Sequence, residues 1–75
     1  PSLDELTADE LRALRGAASW YAQYRAHEVS ERATDRTLRA EVEREEYLAL
    51  LTALKKLGAP MAVPDALREH VPAVA

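Results

Sequence analysis

Glu31-Arg32-Ala33-Thr34-Asp35-Arg36 lies midway between two apolar clusters that mirror each other along the chain. Leu11, Leu14 and Tyr21 precede it; Tyr47, Leu48, Leu50, Leu51, Leu54 and Leu57 follow it. A reversal at Ala33-Thr34-Asp35 brings Leu11 to Leu57, Leu14 to Leu54, Ala18 to Leu50 or Leu51, and Tyr21 to Tyr47 or Leu48. Two helices over about residues 8–33 and 36–57, the second capped by Thr34 or Asp35, satisfy this pattern. Between Ala17 and Leu57 there is no glycine or proline. The competing arrangement is therefore one helix roughly 75 Å long, paired antiparallel with a second chain through the same residues. The mirror symmetry favours the hairpin within one chain.

The outer ends of the hairpin carry strong signals. Thr7 and Glu10 have capping-box spacing, and Leu6 and Leu11 the spacing of a hydrophobic staple. Asp9 and Glu10 suit the positive end of the helix dipole. Ser2 and Glu5 have the spacing to cap a short preliminary turn. At the far end Lys55-Lys56-Leu57-Gly58, with Pro60 two residues on, marks a helix stop. Met61 and Val63 are expected in extended chain. Pro64 and Asp65 open a short helix over about residues 64–70, which Pro72 ends. Its Leu67 and Val71, four apart, can fold back on the hairpin, and the final residues are expected to fray.

Composition supports an all-α fold. The 75 residues suffice for one small helical domain, residues 1–75, and are dominated by Ala, Leu, Glu and Arg, all strong helix formers. Ile, Phe, Asn and Cys are absent, and eight of the ten basic residues are arginine. Arg and Ala use G/C-rich codons and the missing residues mostly A/T-rich ones, which points to a high-GC bacterial or phage source. The lack of cysteine removes disulfides as a source of stability and fits a reducing cytoplasm. No run of apolar residues has the length to span a membrane, and no signal-peptide pattern is visible. A chain this short buries little apolar surface alone, which favours a partner chain.

On a helical wheel Leu11, Leu14, Ala18, Ala22, Val29 and Ala33 form the stripe that faces the second helix. Trp20 and Tyr24, stacked four apart, fall on the opposite side with Ala13, Gly16 and Ala17 beneath them. The first helix thus has two apolar surfaces, and a hairpin buries one. Either the C-terminal segment covers Trp20 and Tyr24 with Met61, Val63 and Leu67, or the five residues Ala13, Gly16, Ala17, Trp20 and Tyr24 form a protein interface. Gly16 costs about 1 kcal/mol against alanine in a helix interior, which close approach of another element would explain.

From Arg25 to Glu46 the chain is mostly charged, and only Val29, Leu38 and Val42 are large and apolar. Glu28–Arg32, Asp35–Arg39 and Arg39–Glu43 are spaced for local ion pairs on a solvated tip.

Catalytic and metal signatures are not met. His27-Glu28 resembles the opening of a zinc-protease H-E-x-x-H motif, but Glu31 stands where the second histidine belongs. Two ligands do not make a site, and the other histidine, His70, lies in the tail. The E-x-x-H of di-iron bundles is missing too, since Tyr24 and Leu67 precede the two histidines by three. Ser19 and Ser30 have no His–Asp arrangement in reach, and there is no phosphate-cradling glycine loop. Glu41, Glu43, Glu45 and Glu46 spread around the helix instead of converging. No catalytic, cofactor or metal residue is therefore assigned. Arg25, Arg32 and Arg36 share a flank that could meet phosphate, but Glu28 lies beside them and the net charge of −3 argues against nucleic acid. The expected function is a non-enzymatic protein–protein interaction module, most simply a homodimer or larger helical bundle acting as adaptor or scaffold. The runner-up is a monomeric regulator or inhibitor of another protein.

Overall fold

The computed structural model describes residues 5–71. Two helices, α1 (Ala8–Glu31) and α2 (Leu38–Lys56), are followed by a short 3₁₀ helix, Asp65–His70. The described residues contain no strand. The all-α antiparallel hairpin within one chain is therefore the fold, and the single long helix is not formed. Helix α1 starts where the capping box places it. Thr7 Oγ1 accepts from the Glu10 amide at 3.0 Å, and the Glu10 carboxylate accepts from the Thr7 amide at 2.8 Å. Leu6 and Leu11 are both half-buried. The expectations placed on Ser2, on Pro72 and on the fraying tail lie outside the described residues.

The reversal differs in detail from the sequence expectation. Helix α1 ends at Glu31 instead of residue 33, and Thr37 caps α2 in place of Thr34 or Asp35. Thr37 Oγ1 accepts from the Ala40 amide at 3.3 Å, while Asp35 Oδ1 accepts from the Thr37 amide at 2.8 Å. Asp35 thus closes the turn ahead of the helix, which moves the cap two residues on. For the same reason Asp35 does not pair with Arg39. No residue in the turn has a positive φ. The reversal needs no glycine because a side chain from α2 holds it. Arg44, only 7% exposed, donates from Nη1 to the carbonyls of Arg32 and Asp35, each at 3.0 Å. Those oxygens belong to the C-terminal end of α1 and the turn after it, where orphan carbonyls need donors.

The core joins Ala22, Val29 and Ala33 to Tyr47, Leu51 and Leu54, with Leu67 of the 3₁₀ helix fully buried in the same cluster. Ala18 and Leu50 pack against it half-buried. Leu14 does not join the stripe and is 49% exposed. At 100° per residue it lies about 70° from the mean direction of Leu11, Ala18, Ala22, Val29 and Ala33. Arg15 occupies the seam instead, and its Nη1 donates to the Leu57 carbonyl at 3.2 Å. Tyr21 is also half exposed, bordering a crevice with Tyr47 and Leu50 and not with Leu48.

Helix α2 ends as the sequence indicates. Gly58 has φ +84°, the Ala59 amide donates to Leu54 at 2.9 Å, and the Gly58 amide donates to Lys55 at 3.2 Å. This is the Schellman arrangement, which requires a left-handed residue after the cap. The expected C-terminal helix is present as the 3₁₀ turn Asp65–His70. Its His70 Nε2 donates to the Ala33 carbonyl at 2.9 Å, tying the end of the 3₁₀ turn to the residues just after α1.

Candidate protein interface

Helix α1 is one uninterrupted rod of 24 residues. Its inward side is fixed by Ala22 and Val29, so residues half a turn away must point outward. Trp20 and Tyr24 are 69% and 66% exposed. Their rings stack with centroids 5.9 Å apart and an interplanar angle of 3°, making an aromatic pair that spans about one helical turn. Ala13, Gly16 and Ala17 are exposed on the preceding turns of the same face. A Cβ built on Gly16 has no neighbouring atom within 4 Å, so no element among the described residues packs closely there. The close backbone approach expected at Gly16 is therefore not made by any of the described residues.

The C-terminal segment, as described through Val71, does not cover this face. Met61 and Val63 pack on the core from another side, bordering a groove with Leu48, Leu51 and Lys55 of α2. Leu67 is spent on the core. The physical reason is the position of the end of α1. The contact from His70 to Ala33 and the burial of Leu67 against the Val29–Leu54 cluster draw the segment toward the inner side of the hairpin. Trp20 and Tyr24 remain open to solvent.

The charged tip is more tightly organised than a solvated surface. Glu43, with its side chain 18% exposed, receives Arg32 at 3.2 Å, Arg39 at 3.3 Å and Arg25 at 3.6 Å. Arg25 also meets Glu28 at 3.2 Å. Arg25 and Arg32 are therefore directed at carboxylates, and the charge they offer a phosphate is largely neutralised. Of the three local pairs read from spacing, Arg39–Glu43 is made, Glu28–Arg32 is long at 3.9 Å, and Asp35–Arg39 is replaced by the turn. The cross-helix pairs to Glu43 and the Arg44 contacts have no spacing signature, because they join residues brought together only by the reversal.

His27 meets Glu31 at 2.8 Å, with side chains 84% and 65% exposed, on the edge of the aromatic face. Among the described residues no group of three His, Cys, Asp or Glu converges to hold a metal. Leu38 and Val42, 75% and 43% exposed, form a smaller apolar pair on the outside of α2. A crevice at the tip is lined by Thr34, Asp35, Arg36, Glu41, Arg44 and His70. It mixes charges of both signs, and its Arg44 is already committed to backbone carbonyls. No helix among the described residues is long and apolar enough to cross a membrane.

No protein-family model, no curated protein and no solved structure matches the chain.

Proposed function

We propose that this protein is a non-enzymatic interaction module of the cytoplasm, a helical hairpin that binds protein through the outer face of α1 and associates with copies of itself. The observation that carries the reading is the stacked Trp20–Tyr24 pair, about two-thirds exposed and beside Ala13, Gly16 and Ala17. Aromatic residues of this kind bring a large apolar area and little side-chain entropy to an interface. Leaving two of them in water on a chain with so small a core is unfavourable, and burial against a partner removes that cost. The module works by burying surface, with no chemical step, and the scaffold or adaptor role follows from that mode of action.

The test is the molar mass of wild type and Trp20→Ala across concentration, with helix content measured on both. The reading expects a wild type that grows toward a dimer and a variant that stays monomeric with its helices intact. A monomeric wild type whose tryptophan emits as in water would remove self-association and leave the same face to a different protein. Equal masses for a dimeric wild type and the variant would place the contact elsewhere, with Leu38 and Val42 the next surface to change.

A further inference from the structure

The outer face of α1 is graded along its length. Its N-terminal half is small: Ala13, Gly16 and Ala17. Beyond them stands the bulky stacked pair Trp20–Tyr24. This grading decides how two copies can meet. In a parallel pair, Trp20 meets Trp20 and Gly16 meets Gly16, so the helices are wedged apart at one end and leave a void at the other. In an antiparallel pair the thick half of each copy lies over the thin half of the other, and the gap is filled evenly.

We propose that a second copy of this chain is the occupant of the face, docked antiparallel about a two-fold axis that passes α1 between Ala18 and Ser19. The proposal rests on the self-association reading and specifies its geometry. In this register Trp20 of each copy covers Gly16 and Ala17 of the other, and Tyr24 covers Ala13. The patch is then self-complementary, as a two-fold interface must be. The open space over Gly16 receives an indole, which gives the helix a reason to keep a residue that weakens it. The contact covers roughly three turns of helix with four aromatic rings, small against the interfaces of permanent dimers. The association is accordingly reversible and concentration-dependent.

Two sets of variants test the geometry. Gly16→Leu fills the hollow. Among the described residues no atom lies within 4 Å of a Cβ built there, position 16 is on the exposed face of α1, and leucine is the better helix former, so the hairpin is expected to stay folded. The expected result is a well-folded monomer at concentrations where wild type is dimeric. The second set uses the absence of cysteine in this chain. About an antiparallel axis at Ala18–Ser19, the two copies of position 17 are about 5 Å apart along the helix and those of position 13 about 16 Å. Ala17→Cys should therefore cross-link to itself under mild oxidation and Ala13→Cys should not, given the short reach of a disulfide. A Gly16→Leu protein that remains dimeric, or an Ala13→Cys protein that cross-links as readily as Ala17→Cys, overturns the antiparallel register while leaving self-association standing. A wild type that is monomeric throughout overturns both.

Discussion

Gly16 and Gly58 are the two glycines of the chain, and the same substitution should act on them in opposite directions. Gly58 stands at φ +84°, where a side chain is strained, so Gly58→Ala should lower stability by about 1–2 kcal/mol. Gly16 lies in a helix with open space beside it, so Gly16→Ala should raise the stability of the monomer by up to about 1 kcal/mol. Urea unfolding at low protein concentration measures both, and a loss at position 16 would mean that another group packs there within the chain. Gly58 was legible in the sequence because Lys-Lys-Leu-Gly followed by proline is a local stop. Arg44 was not legible. Its role depends on carbonyls nine and twelve residues earlier, which only the folded turn brings near. Arg44→Met keeps much of the apolar stem and removes both donors. It should cost about 1–3 kcal/mol, read in the same unfolding experiment.

At the level of the elements, both helix starts depend on hydroxyl caps and both have a carboxylate in the same local network. Glu10 is held below its ordinary value of 4.5 chiefly by the Thr7 backbone amide, then by the Thr7 side chain. Asp35 is held below 3.8 chiefly by the Thr37 backbone amide, then by the Thr37 side chain. In each case the unfolded chain takes up a proton more readily than the folded one. Their stabilisation is therefore complete above the ordinary values and is lost as pH falls from there through the lowered folded values. Glu10→Gln and Asp35→Asn should melt at lower temperature than wild type at neutral pH, and the difference should narrow as pH drops below about 4. A constant difference down to acid pH would detach these carboxylates from the caps. Thr7 and Glu10 announce themselves by spacing, which is why α1 begins where the sequence placed it. At the reversal Thr34, Asp35 and Thr37 are all acceptable caps, and the choice among them is made by Arg44 and by the Thr37 amide from the other side of the turn. Glu43 belongs to this scale as well. Because three arginines converge on it, Glu43→Ala should cost about 1 kcal/mol, more than Glu41→Ala, with a difference that shrinks at high salt.

The whole molecule is thin. Its radius of gyration is 13.7 Å, against about 11 Å expected for a compact chain of this size. Among the described residues three of the eight buried apolar ones are alanines, so the core gives little margin. The apolar mirror symmetry that reveals the hairpin reports only on the inner side of each helix. It correctly pairs α1 with α2, yet it misplaces Leu14, because the seam drifts around the helix and gives that position to Arg15. The five residues of the outer face were grouped by spacing alone, and their common exposure follows from where Leu67 and His70 draw the C-terminal segment, which spacing does not encode. What docks on that face is a property of two molecules. If a second copy stabilises the folded chain, the melting temperature should rise with protein concentration. The most direct measurement is light scattering across concentration with the emission of the single tryptophan recorded on the same samples. The expected result is a mass that climbs from 8.3 kDa toward twice that value while Trp20 emission shifts to the blue. A mass fixed at 8.3 kDa with a water-like emission at every concentration would contradict self-association through the outer face of α1.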